Sequence, residues 1–276
     1  MTYLVFLIFF LIPPILAIYA ALWRAGRVGV GRIPLVPILV LASVALVYTT
    51  PWDNYLVANR VWWYRTDWVL GFTLGWVPVE EYLFFVLQTL LTGGWTALVF
   101  RLGEASAHSD PARPFRPNLA IAAALAAAGV ASAGALIAGP PQLTYLALIL
   151  VWALPPLALQ AGFGADILWH RRRQLLLSIG LPTAYLILAD ALAIRSGTWV
   201  INPQLSLNTR VAGFPLEEAL FFLVTNVLVA VGLTLWLAPA GRSRAMAWTR
   251  KLGWRRRPDK ASWFSDSTSE SIQDGV

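Results

Sequence analysis

Apolar residues run in stretches of about 20, the length that carries a helix across a bilayer core, and polar or basic connections separate them from one end of the chain to the other. The stretches fall near residues 3–23, 33–48 or beyond, 78–100, 118–138, 143–163, 175–194 and 214–237. The pattern predicts an all-α integral membrane protein with seven transmembrane helices. The first stretch is too long for a signal peptide, lacks a basic start and is followed by no small-x-small cleavage site, so it reads as an anchor. The fourth is nearly all Ala, Gly, Leu, Ile and Val; small residues let helices approach closely, and nothing in it suggests chemistry.

The pattern is also periodic over a longer distance. A shift of 137 residues, without a gap, lays Tyr48 on Tyr185, Asp53 on Asp190, Trp62 on Trp199 and Leu70 on Leu207. The same shift lays Pro78 on Pro215, Glu80 on Glu217, Glu81 on Glu218, Leu83 on Leu220, Phe84 on Phe221 and Phe85 on Phe222. So many chemically distinctive matches in one register indicate an internal duplication. Each copy holds three spans and the fourth span links them, a 3+1+3 arrangement. Four crossings separate equivalent helices, so the copies are parallel and both acidic motifs fall at the same side of the membrane. The expected units are residues 1–100, a loop and linker helix over 101–141, residues 142–238, and a basic, polar, disordered tail over 239–276.

Composition sharpens this picture. Of the 276 residues, 58% are hydrophobic and 13% charged, against roughly 25% charged in a soluble domain. The net charge of +7 does not point to nucleic acid, because the basic residues cluster in alternate connections and in the tail, where anionic lipid attracts them. Arg24, Arg27, Arg32, Arg101, Arg113, Arg116, Arg171, Arg172, Arg173 and eight tail residues put 17 of the 21 Lys and Arg on one side, and only Arg60, Arg65, Arg195 and Arg210 on the other. Cytoplasmic connections carry the positive excess. The expected location is therefore the plasma membrane, with the N-terminus outside and the C-terminus cytoplasmic.

Several chemistries are excluded. There is no cysteine, hence no thiolate site, and His108 and His170 lie in polar connections. Gly26-Arg27-Val28-Gly29-Val30-Gly31 has the wrong order for a dinucleotide loop and follows no strand. There is no P-loop and no Asp-x-x-x-Asp pair for a magnesium diphosphate, and Lys251 and Lys260 in the tail are the only lysines, so no retinal Schiff base forms on the last helix. No cofactor and no metal are expected.

What remains is a layer of carboxyls at one side. Glu80-Glu81 and Glu217-Glu218 begin spans three and seven. Proline favours the first helical turn and acids there complement the helix dipole, yet capping requires neither two adjacent glutamates nor a fixed Phe-Phe. Asp190, the counterpart of Asp53, stands among apolar residues from Leu186 to Ile194, and an ionisable group inside a span is a functional candidate by default; pairing with Arg195 or Arg210 is the structural alternative. Two Asp and four Glu in one apolar layer would not all be ionised, which leaves a neutral acid able to give a proton beside carboxylates able to take one. Trp52, Trp62, Trp63, Tyr64, Trp68, Trp76 and Trp199 surround the layer, either as an interfacial belt or as faces that stabilise a developing cation.

Pro78-Val79-Glu80-Glu81-Tyr82-Leu83-Phe84-Phe85 and Pro215-Leu216-Glu217-Glu218-Ala219-Leu220-Phe221-Phe222, with Pro51-Trp52-Asp53-Asn54-Tyr55, resemble the lycopene cyclase domain of actinobacterial heterodimeric cyclases and of fungal cyclase–phytoene synthase fusions. Both halves occur here in one chain, over about residues 1–238, without the synthase. The second copy departs: Trp52-Asp53-Asn54-Tyr55 becomes Ala189-Asp190-Ala191-Leu192, and Tyr82 becomes Ala219. The resemblance implies a membrane enzyme that takes lycopene as substrate, beside other enzymes of carotenoid synthesis, and closes β-rings by proton addition and removal. It implies Glu80 and Glu217 as the acid/base pair, Glu81 and Glu218 as tuning or sharing that role, and Asp53 and Asp190 as proton holders. Trp52, Tyr55, Trp62, Phe84, Phe85, Trp199, Phe221 and Phe222 are the implied substrate contacts. A carotenoid hydratase, an ε- or γ-cyclase, or a 3+1+3 small-solute transporter are the alternatives. The charge asymmetry makes one direct prediction: a topology reporter fused after Gly275 is active in the cytoplasm, and activity on the opposite side contradicts the orientation.

Overall fold

The computed structural model describes residues 1–27, 33–103, 117–211 and 213–251. Seven helices in it are long and apolar enough to span a membrane: α1 Tyr3–Gly26, α2 Leu35–Ala58, α3 Val79–Gly103, α4 Asn118–Ala138, α5 Pro141–His170, α6 Arg172–Ser196 and α7 Leu216–Leu237. An eighth helix, α8, covers Pro239–Lys251, which corrects the expectation of a disordered tail from residue 239. His108, Arg32, Arg113, Arg116, Ala212 and the chain from Leu252 onward, including Ser262 to Val276, lie outside the described residues.

The helix ends follow local chemistry. α6 stops at Gly197, which takes the left-handed conformation (φ +75°) and returns its N–H to the carbonyls of Ala193 and Ile194, a position suited to glycine. α3 and α7 each start directly after a proline, Pro78 or Pro215. α2 runs on through Pro51 to Ala58, so Asp53 is helical and buried within the span. α5 kinks at Gly164 and carries Pro155 and Pro156.

Among the described residues, six short strands lie beyond the helix ends: β1 Trp62–Tyr64, β2 Thr73–Leu74, β3 Val77–Pro78, β4 Trp199–Ile201, β5 Arg210–Val211 and β6 Phe214–Pro215. β2–β3 and β5–β6 are hairpins leading into α3 and α7. Gly75 turns the first hairpin at φ +70°; a Cβ there would lie 2.1 Å from Asn54 Oδ1, the atom that accepts the Trp76 N–H at 2.7 Å. β1 pairs with β4 in antiparallel register, Trp62 to Ile201, Trp63 to Val200 and Tyr64 to Trp199. That ribbon ties the segment after α2 to the segment after α6.

α3 and α7 are the most buried spans, whereas α4 packs along α5 at the outside. A polar knot joins the centre: Asn226 Oδ1 accepts Gln88 Nε2 (2.8 Å) and Thr92 Oγ1 (2.5 Å), and Asn226 Nδ2 donates to Thr183 Oγ1 (3.0 Å). Two peripheral seams close alike, with Tyr48 donating to the Trp152 carbonyl at 2.8 Å and Tyr185 to the Phe10 carbonyl at 2.6 Å.

At the opposite end of the bundle, Arg244 of α8 grips Asp166 of α5 through two bonds of 2.9 and 2.7 Å. Asn118 Nδ2 donates to the same carboxylate at 2.7 Å. The two charged side chains are only 9% and 3% exposed. Removing one partner of a buried pair strands the other at a cost of about 3–5 kcal/mol. Arg244→Ala is therefore expected to lower the melting temperature of the detergent-solubilised protein markedly, and an unchanged melting temperature contradicts the latch.

Candidate active site

The starts of α1, α3, α5 and α7 and the ends of α2 and α6 meet at one end of the bundle, because successive crossings reverse direction. There they surround a small cavity of about 40 Å³, lined by Tyr3, Phe6, Trp52, Asp53, Trp62, Glu81, Phe84, Phe85, Tyr145, Asp190, Trp199, Glu218, Phe221 and Phe222. Helical geometry selects the lining: Glu81, Phe84 and Phe85 are three and four residues apart and share one face of α3, as Glu218, Phe221 and Phe222 do on α7. Alternation along the ribbon turns Trp62 and Trp199 to the cavity.

Four carboxyls reach this space. Asp53 and Asp190 are each 1% exposed, Glu81 is 6% and Glu218 7%. Phenols bind the two glutamates: Tyr3 donates to Glu81 Oε2 at 2.5 Å, Tyr64 to the same oxygen at 3.0 Å, and Tyr145 to Glu218 Oε1 at 2.6 Å. Burial, with the Glu81 charge adding to it, pushes the Tyr64 phenol well above its ordinary range, so at neutral pH it is a donor. Asp53 Oδ2 and both carboxyl oxygens of Asp190 have no hydrogen-bond partner among the described residues, and Asp190 is thus not the ion-pair partner of Arg195 or Arg210. Among the described residues, no Lys, Arg or His lines the cavity. Four carboxyls this close without a cation cannot all carry charge, so protons are held among them. Among the described residues, no group of three or more His, Cys, Asp or Glu is arranged to hold a metal ion.

The aromatic residues form the walls. Trp52 stacks on Trp152 (centroids 4.8 Å apart) and on Phe221 (5.9 Å), while Phe84 meets Phe222 edge-on at 6.2 Å. Tyr3 packs on Trp199 at 5.1 Å. These faces offer a developing positive charge electron-rich surroundings.

Three expected site residues lie elsewhere. Glu80 and Glu217 are buried but do not line the cavity; their Oε1 atoms accept the main-chain N–H of Leu70 (2.5 Å) and Leu207 (2.6 Å). Adjacent residues on a helix point about 100° apart, so in each pair one glutamate holds the preceding loop and its neighbour faces the cavity. Tyr55 is 54% exposed and outside the lining; two residues from Asp53, it sits across α2.

Tyr3 and Tyr145 escape a search at one fixed shift. A shift of 142 residues aligns Thr2-Tyr3-Leu4 with Thr144-Tyr145-Leu146 and Pro13-Pro14 with Pro155-Pro156. Allowing five extra residues between the first two spans would have found both tyrosines. Since Glu80 acts on a backbone amide, Glu80→Gln keeps an acceptor there while Glu80→Ala strands the amide, at a cost of about 1–3 kcal/mol. Thermal melts are expected to separate the two variants, and equal melts contradict the loop-holding role.

Comparison with known proteins supplies the context. The lycopene cyclase family model matches residues 1–99 and 142–237. The chain is similar to lycopene beta-cyclase of Halobacterium salinarum, 41% identical over 244 residues that cover 85% of this chain and 95% of that one. It is also similar to the bifunctional lycopene cyclase/phytoene synthases of Sporisorium reilianum (35% identical) and Aspergillus niger (37%). Those matches cover 78% and 71% of this chain but 32% and 34% of the fungal proteins. No solved structure matches the chain significantly.

Proposed function

The chain belongs to the lycopene cyclase family, and from that premise we propose that it closes β-rings at the two ends of lycopene, giving γ-carotene and then β-carotene. The reaction is a redox-neutral isomerisation. A proton added to the terminal double bond creates a tertiary cation, the neighbouring C5=C6 bond closes a six-membered ring on it, and loss of the C6 proton leaves the β-ring. It requires an acid, a base, aromatic faces toward the cation and exclusion of water.

The observation that carries this reading is the cation-free cluster of four carboxyls inside one aromatic cavity. Glu81 and Glu218, which touch that space, are the acid/base pair; Asp53 and Asp190 hold and pass protons. Glu80 and Glu217 act through the loops. This exchanges the roles that the resemblance implied within each Glu-Glu pair. Trp52, Trp62, Trp199 and the four phenylalanines at 84, 85, 221 and 222 contact the substrate end.

The same reading gives the architecture its meaning. Two parallel three-helix units, joined by α4, each deliver one Asp and one Glu to a shared cavity at one end of the bundle. With the N-terminus outside and the basic connections cytoplasmic, that end faces the outer side of the plasma membrane. One cavity receives one end of a long polyene at a time, so the two ends react in turn.

Expression in a bacterial host that accumulates lycopene is expected to give β-carotene, with monocyclic γ-carotene appearing first in a time course at limiting enzyme. Glu81→Gln and Glu218→Gln are expected to lower β-ring formation by about 10²-fold or more, the usual worth of an acid or base, while Glu80→Gln and Glu217→Gln retain it. Full activity in the Glu81→Gln, Glu218→Gln double variant contradicts the assignment, and β-carotene formed without any monocyclic intermediate contradicts the sequential course.

A further inference from the structure

The two halves of the cavity are related by an approximate two-fold axis, and the hydroxyl of Tyr64 is one feature that breaks it. The β1–β4 pairing places Trp63 opposite Val200, and the 137-residue shift relates that same pair, so the axis passes between them. It carries Trp62 onto Trp199 and Tyr64 onto Ile201. Glu81 therefore accepts two phenols, Tyr3 and Tyr64, both on Oε2. Glu218 accepts Tyr145 on Oε1, and Ile201, half-buried against the same aromatic core, has no hydroxyl to add.

We infer that this asymmetry divides the labour: Glu81 is the base, Glu218 is the acid, and Tyr64 is the positioning residue that separates them. The inference rests on the cyclase reading above. Two donors on one oxygen favour a carboxylate more than one donor does, and they leave Oε1 of Glu81 clear to take a proton. Glu218, with one donor on Oε1, keeps Oε2 to carry one. Glu218 gives its proton to C2 of the terminal double bond; the electron pair of C5=C6 forms the C1–C6 bond, which leaves the positive centre at C5. Glu81 removes the proton at C6, and that C–H pair becomes the new C5=C6 bond. The proton passes back to Glu218 through Asp53 and Asp190, so none is consumed.

The products distinguish the two roles, because a missing acid stops the reaction before any ring and a missing base does not. Membranes bearing each variant are supplied with lycopene and the pigments are separated and identified. Glu218→Gln is expected to return lycopene unchanged. Glu81→Gln is expected to yield rings of another type, as the C5 cation sheds a proton from C4 or from its methyl group, or takes up water. Tyr64→Phe is expected to lower β-ring formation roughly tenfold, the worth of one hydrogen bond to a charged group, and to release the same altered rings. Tyr64→Ile combined with Ile201→Tyr moves the second phenol to Glu218 and is expected to recover ring formation relative to Tyr64→Ile alone, which loss of packing at residue 64 would not allow. Altered rings from Glu218→Gln with unchanged lycopene from Glu81→Gln, or the same outcome from both, overturns the inference. A wild-type chain that forms no ring overturns the cyclase reading itself.

Discussion

Everything at the working end of this bundle depends on the cost of placing four carboxyls in an apolar, cation-free space. An unpaired charge in such surroundings is unfavourable by several kcal/mol, and among the described residues no Lys, Arg or His lines the cavity that Asp53, Asp190, Glu81 and Glu218 share. Protons and phenols take the place of counter-ions. Tyr3, Tyr64 and Tyr145 each spend a hydroxyl on a glutamate. The contrast with the other end of the molecule is instructive, because Asp166 there is neutralised by Arg244 and bonded to Asn118. A carboxyl paired in that way holds a helix in place; carboxyls left with protons are available for proton transfer.

The fold exists to converge these groups. Asp53 and Asp190 come from the ends of α2 and α6, and Glu81 and Glu218 from the starts of α3 and α7. The β1–β4 ribbon then closes over them, and the buried Gln88–Asn226–Thr183 knot fixes α3 against α7 and α6. Glu80 and Glu217, by gripping Leu70 and Leu207 amides, fix the loops that enter α3 and α7 and hence the height at which the neighbouring glutamates stand.

Much of this was legible in the residues. The seven spans follow from hydropathy alone, and Asp53 and Asp190 stood out because an acid inside a span is rare. The Glu-Glu pairs were visible, but not which member faces inward: that is a question of helix phase, and the phase is set by packing of Phe84, Phe85, Phe221 and Phe222 across the axis. Tyr55 was implied as a substrate contact by the motif it shares with Asp53, yet residues two apart on a helix lie on nearly opposite sides, and it is exposed. Tyr3 and Tyr145 were hidden because they align at a shift of 142 residues and not 137. Tyr64 read as one ring of an interfacial belt, since its hydroxyl acquires meaning only once the ribbon folds over Glu81. The helix over Pro239–Lys251 is stabilised by a tertiary ion pair that no local pattern announces.

The most direct test of the central claim is to count protons on the carboxyls themselves. Infrared spectroscopy of the purified protein at neutral pH reads the carbonyl stretch of protonated carboxylic acids. The account predicts such a band, weakened in Glu218→Gln and retained in Arg244→Ala. A spectrum with no protonated carboxyl, or one that Glu218→Gln leaves unchanged, would contradict it.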